Sequence, residues 1–129
     1  MNRDRKKVIY ISGPITGVKN YWEPFEKAED DLTALGYIPL SPAHLPQGMT
    51  DEQYMRIDFA MIDSADAVLF LTEDYRSSVG MTLEVDYCLY IGKPFVVRRR
   101  DFYGERNPAD IDFAWLKHDL EEVFNICPT

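Results

Sequence analysis

Cysteine is nearly absent: Cys88 and Cys127 are the only two in 129 residues. Two thiols so far apart build neither a disulfide scaffold nor a metal site, so reduced side chains are expected. No hydrophobic run approaches the roughly 20 residues of a membrane span. The first apolar stretch, inside MNRDRKKVIYIS, is also too short for a signal h-region. No membrane partner and a cytoplasmic location are the expectation. Basic charge is scarce as well: 14 Lys and Arg face 22 Asp and Glu, a net charge of −8. Duplex nucleic acid is therefore not an expected partner, because phosphate binding needs a basic face. The basic cluster Arg98-Arg99-Arg100 reads as a solvated strand end. Histidine is equally sparse. His44 and His118 have no nucleophile paired with them by pattern, and no HxxxH spacing or ligand cluster suggests a metal. Neither metal nor cofactor is expected.

What remains is an ordinary globular composition, 46% hydrophobic and 28% charged, of a length that fits one domain over residues 1–129. Short β-like runs alternate with helical periods. VIYIS (Val8 to Ser12) reads as a strand apolar on both faces. Trp22, Phe25, Ala28, Leu32 and Leu35 recur every three or four residues and predict a helix ended by Gly36. YIPLS (Tyr37 to Ser41) reads as an edge strand, since Pro39 cannot donate to a ladder. Thr50 with Gln53 forms a capping box that opens a second helix running to about Ser64.

DAVLFLT (Asp66 to Thr72) is the clearest strand. A third helix is expected from about Gly80 to Ile91, then a strand KPFVV (Lys93 to Val97). A last amphipathic helix should span Asp112 to Ile126, with Phe113, Leu116, Leu120, Val123 and Phe124 on one face. The order βαβαβαβα predicts a single α/β domain with a doubly wound parallel sheet, of flavodoxin-like strand order.

In such sheets ligands bind beyond the C-terminal strand ends. Ser12-Gly13-Pro14-Ile15-Thr16-Gly17 lies there, and its backbone N–H groups suit an anion such as a phosphate. It is neither a Walker motif nor GxGxxG, and the same glycines also suit a plain tight turn. Ser77-Ser78-Val79-Gly80 lies there too, opening the helix that carries Glu84. Gly80 permits close approach of a ligand. A glutamate near a helix start is also common as mere dipole compensation. Asp58 lies eight residues before Asp66, roughly 12 Å up its helix at 1.5 Å per residue. It therefore reaches toward the ligand end, while Asp66 and Asp63 belong to the opposite end as structural residues.

Two carboxylates in one cleft suit chemistry at a glycosidic carbon, one attacking and the other positioning hydroxyls or handling a proton. Tyr10 can orient the attacking group, although core packing is the more ordinary fate for a strand tyrosine.

At these residues the chain resembles the nucleoside 2-deoxyribosyltransferase superfamily, and most of all a bacterial and phage branch that opens with a YISGPMTG-like segment. The resemblance rests on YISGPITG, on Asp58 before Asp66, and on SSVGMTLE with Glu84, and runs from Val8 to Val97. It implies a doubly wound α/β domain assembled as a homodimer or higher homo-oligomer. It also implies cleavage of the N-glycosidic bond of a nucleoside or nucleoside 5′-monophosphate.

By position Glu84 matches the nucleophile that attacks C1′, Asp58 an aspartate beside the sugar, and Tyr10 the tyrosine that orients the glutamate. Ser12, Gly13, Pro14, Ile15, Thr16, Ser78 and Gly80 are the matching substrate-binding candidates. Three departures stand out. Ser78 replaces the aspartate that the transferases carry six residues before the nucleophile, and resembles instead the serine that holds a 5′-phosphate in monophosphate N-glycoside hydrolases. Pro14 and Thr16 stand where those hydrolases have a serine and an arginine. The C-terminal asparagine segment of the transferases is not recognisable. A non-catalytic nucleotide-binding or sequestering protein is accordingly the alternative, and a partner-binding module using the acidic surface is a third.

Overall fold

Four strands pair all-parallel in the order β2-β1-β3-β4 in the computed structural model, which describes residues 5–98 and 109–126. They are β1 (Val8–Ser12), β2 (Ile38–Leu40), β3 (Ala67–Phe70) and β4 (Phe95–Val97). Between and after them run α1 (Trp22–Ala34), α2 (Asp51–Ser64), α3 (Val79–Ile91) and α4 (Ala109–Ile126). This is the expected α/β sheet, with the reversal of strand order between β1 and β3.

The alternation of side chains along β1 decides what each face contains. Ile9 and Ile11 point to one face, where Phe25, Ala28 and Leu32 of α1 and Leu116 and Leu120 of α4 cover them. Tyr10 and Ser12 point to the other, shared with Val68 and Phe70 of β3 and covered by α2 and α3. One face is apolar at the level of the sheet. The other carries two hydroxyls, so its covering helices must bring partners for them.

Local chemistry explains the element ends. Thr50 Oγ1 accepts from Gln53 N at 3.1 Å while the Gln53 side chain accepts from Thr50 N at 2.9 Å, the expected capping box of α2. Gly92 ends α3 in the left-handed region at φ 72°, which a side chain would strain. Pro39 lies on β2, an edge strand that pairs only with β1. β2, β3 and β4 are shorter than their apolar runs suggest, and α4 begins before Asp112.

Asp66 stands just outside β3, and its carboxylate ties two other groups. It accepts from Val8 N at 2.7 Å and pairs with Arg5 at 2.7 Å, fastening the start of β1 at the end of the sheet away from the ligand side.

Two expectations need correction. Trp22 does not join the apolar face of α1; it is 47% exposed. It is the first residue of the helix, a full turn from the sheet-covering Phe25. Arg98 is not a solvated strand end. Its side chain is only 11% exposed and pairs with Asp31 of α1 and, at 2.6 Å, with Asp112 of α4. A buried acid of α1 and a partly buried one of α4 favour a cation between them, and the residue that follows β4 supplies it. Arg99, Arg100 and Cys127 lie outside the described residues, as does the segment before α4.

Candidate active site

β1, α2 and α3 place four polar side chains together on the hydroxyl-bearing face. Tyr10 and Ser12, two residues apart on β1, both turn toward α3. The Ser12 hydroxyl donates to Glu84 Oε1 at 2.6 Å, and the Tyr10 hydroxyl donates to the same oxygen at 3.2 Å. Glu84 is 5% exposed, Asp58 8%, and Tyr10 and Ser12 are fully buried.

Glu84 belongs to the second turn of α3, since Ser78 is the N-cap and the first turn holds no acid. That overturns dipole compensation as its explanation, because the effect fades within one turn. A carboxyl this deep must be held by specific donors.

Burial, helped by the neighbouring Asp58, pushes the Glu84 carboxyl up to about 8 against the downward pull of the hydrogen bonds from Ser12 and Tyr10. Burial also raises Asp58, and its hydrogen bond with Glu84 works against that rise. Two acids that cannot both ionise cheaply in one dry place share a proton and titrate as a pair. Tyr10 is driven well above the usual phenol range by burial and by these two carboxyls, so it stays a donor. Among the described residues, Asp58 Oδ1 is a buried oxygen with no hydrogen-bond partner. An acceptor left open in this way is costly in a site with no further role.

The glycine-rich segment Gly13 to Gly17 leaves β1 directly above this cluster. Gly13 is favoured by packing rather than by φ: a Cβ there would lie 2.8 Å from Leu71 Cδ1 and 3.1 Å from Phe25 Cζ. Pro14 is half-buried, Ile15 packs onto the α1/α4 core, and Thr16 is exposed. Ser78 caps α3, its Oγ accepting from Met81 N at 3.3 Å. A Cβ on Gly80 would meet nothing closer than 3.9 Å, so packing does not demand glycine there.

The carboxyls and Tyr10 singled out in the sequence are thus brought together, and Asp66 is kept apart. Asp63 accepts from the Tyr87 hydroxyl at 2.7 Å between α2 and α3, the structural part expected of it. His44 pairs with Glu29 at 2.9 Å on the surface and His118 with Glu122 at 3.6 Å, neither near Glu84 by any contact. Cys88 is buried one helical turn beyond Glu84, and its thiol is pushed up to about 11 by burial. The bond from Ser12 to Glu84 was not foreseen. The two-residue spacing of Tyr10 and Ser12 on a strand was the signal for it.

Among the described residues no group of three or more His, Cys, Asp or Glu could hold a metal ion, and no helix is long and apolar enough to cross a membrane.

No curated protein matches the chain. Solved structures that share its fold include two 2-deoxyribosyltransferases. One is a 2-deoxyribosyltransferase from the psychrotolerant bacterium Bacillus psychrosaccharolyticus, at 22% identity and TM-score 0.58, covering 81% of this chain and 79% of that one. The other is a 2-deoxyribosyltransferase from Leishmania mexicana, at 22% identity and TM-score 0.60, covering 74% of this chain and 65% of that one. Residues 7–97, β1 through β4, match the family described as Domain of unknown function (DUF4406), and the chain belongs to that family.

Proposed function

We propose that the protein cleaves the N-glycosidic bond of a nucleoside or nucleoside 5′-monophosphate, with Glu84 as nucleophile. The observation that carries this reading is a buried glutamate whose Oε1 is held by two hydroxyls beside a second buried acid. An oxygen lone pair of Glu84 forms the bond to C1′. The C1′–N bond breaks with its electrons going to the base, and the base takes the proton that the acid pair holds. Water, or a second base, then attacks C1′ and gives its proton back to the acid pair, while the bond from C1′ to Glu84 breaks with its electrons returning to the carboxylate. The shared fold of the two 2-deoxyribosyltransferases supports this reading.

Release of free base from a panel of nucleosides and 5′-monophosphates tests it, wild type beside Glu84→Ala. Turnover by the wild type, reduced by roughly a thousandfold or more in the variant, is expected. A wild type inactive on every member sinks the proposal.

A second reading has one observation behind it. Burial and the neighbouring Asp58 raise the Glu84 carboxyl, so the pair holds its proton more tightly than ordinary carboxylates and Glu84 is a weaker nucleophile at rest. A protein that binds nucleotides without cleaving them would show calorimetric binding, no base release, and the same affinity in Glu84→Gln.

A further inference from the structure

We propose that Ser12 is a positioning residue for Glu84 rather than a substrate contact: its hydroxyl pins Oε1 and thereby fixes the orientation in which Glu84 presents its other oxygen. The proposal rests on the reading of Glu84 as nucleophile, but its geometric half stands by itself.

Ser12 is fully buried at the end of β1, and its Oγ lies 2.6 Å from Glu84 Oε1. That is the length of a strong O–H···O bond to a charged acceptor. Tyr10 meets the same oxygen at 3.2 Å, a weaker contact. Neither hydroxyl donates to Oε2. A hydroxyl has one proton, and that of Ser12 is spent on Glu84. It is not available to a substrate phosphate, although Ser12 opens the glycine-rich segment.

The backbone of Ser12 is fixed too. Its carbonyl accepts from Leu71 N at 2.8 Å and its Cα pairs with Phe70 across the ladder. The donor is therefore held by the sheet itself, which suits a group meant to hold another still. Since Ser12 stabilises the charged form, it also counters the burial that raises Glu84.

Two measurements on Ser12→Ala test this, with Tyr10→Phe as comparison. The first is the carboxyl titration of Glu84 by 13C NMR on glutamate-labelled protein, the signal being assigned by its loss in Glu84→Gln. The upper midpoint of the acid pair should rise by about one pH unit in Ser12→Ala, a tenfold gain in proton affinity, and by less in Tyr10→Phe. An unmoved midpoint, or a larger shift in Tyr10→Phe, overturns the proposal. The second is the kinetic split on whichever nucleoside the wild type turns over. A positioning role lowers kcat by about tenfold with KM nearly unchanged, and moves the rising limb of the pH profile upward by the NMR shift. A raised KM with kcat retained marks a substrate contact and overturns the proposal. If the wild type turns nothing over, the titration alone decides Ser12, while the nucleophile reading fails separately. Alanine is smaller than serine, so the variant should fold, which a thermal melt checks.

Discussion

Two buried clusters of charge sit on opposite sides of one sheet, and they are built on opposite rules. Between α1 and α4, Arg98 lies between Asp31 and Asp112, and Lys27 adds a second cation to Asp31 at 2.8 Å. Between α2 and α3, Glu84 and Asp58 face each other, and among the described residues Glu84 meets hydroxyl donors and no cation. The first cluster neutralises itself and ties α4, which lies beyond the matched family segment, onto the sheet. The second leaves two acids to share a proton in a dry place, an arrangement that folding alone has no reason to keep. Opposite charges in a core are architecture; paired acids in a core point to chemistry.

Substitution should separate the two clusters by sign. In Arg98→Met the carboxylates of Asp31 and Asp112 lose their shared cation, so unfolding in urea should show a loss of about 3 kcal/mol. Base release per folded molecule should not change. In Glu84→Gln a like charge is removed and the shape kept, so stability at pH 8 should hold or rise while turnover disappears. Were both variants to lose the same stability, the contrast between the clusters would be wrong.

A pH series sharpens the same contrast with a smaller effect. The folded Glu84 carboxyl, at about 8, lies above its ordinary value of 4.5. A raised carboxyl binds its proton more tightly when folded, so stability falls as pH rises through the window from about 5 to 8. The slope cannot exceed about 1.4 kcal/mol per pH unit for one proton. Asp66 has the opposite sign. Held below its ordinary 3.8 by Arg5, it adds stability above that value and loses it only in acid. The difference between wild type and Glu84→Gln across pH 5 to 8 should therefore isolate the pair. A flat difference curve would show that Glu84 is not buried with its neighbour as described.

The unequal legibility of the two clusters has a physical reason. Glu84, Asp58 and Tyr10 could be placed from the sequence because strand direction fixes which end of each helix approaches the ligand side. Helical rise then separates Asp58 from Asp66. The α2 cap and the Gly92 stop were readable for the same reason, being local chemistry of a few adjacent residues. Arg98 was not readable, because its partners lie 67 and 14 residues away and nothing local marks them. The Ser12 bond lay between these cases. Its face was given by alternation with Tyr10, but its donor distance depends on how closely α3 packs on β1, which sequence does not state.

The smallest expected effect falls where the two sides meet. Gly13 follows Ser12 directly, and its missing side chain leaves room for Phe25 of the apolar face and for Leu71. In Gly13→Ala the new Cβ presses on Leu71 Cδ1, the end of a side chain that can rotate, and on the tip of the fully buried Phe25 ring, which has less freedom. Overpacking of this kind usually costs 1–3 kcal/mol, and the yielding Leu71 puts the expected loss at the low end, about 1 kcal/mol in urea unfolding. The strain is applied one residue from the donor that holds Glu84. If the two faces are coupled through β1, the Glu84 carboxyl midpoint should move up with that loss, though by less than in Ser12→Ala. A stability loss with the midpoint unmoved would mean that the sheet insulates the acid pair from the core behind it.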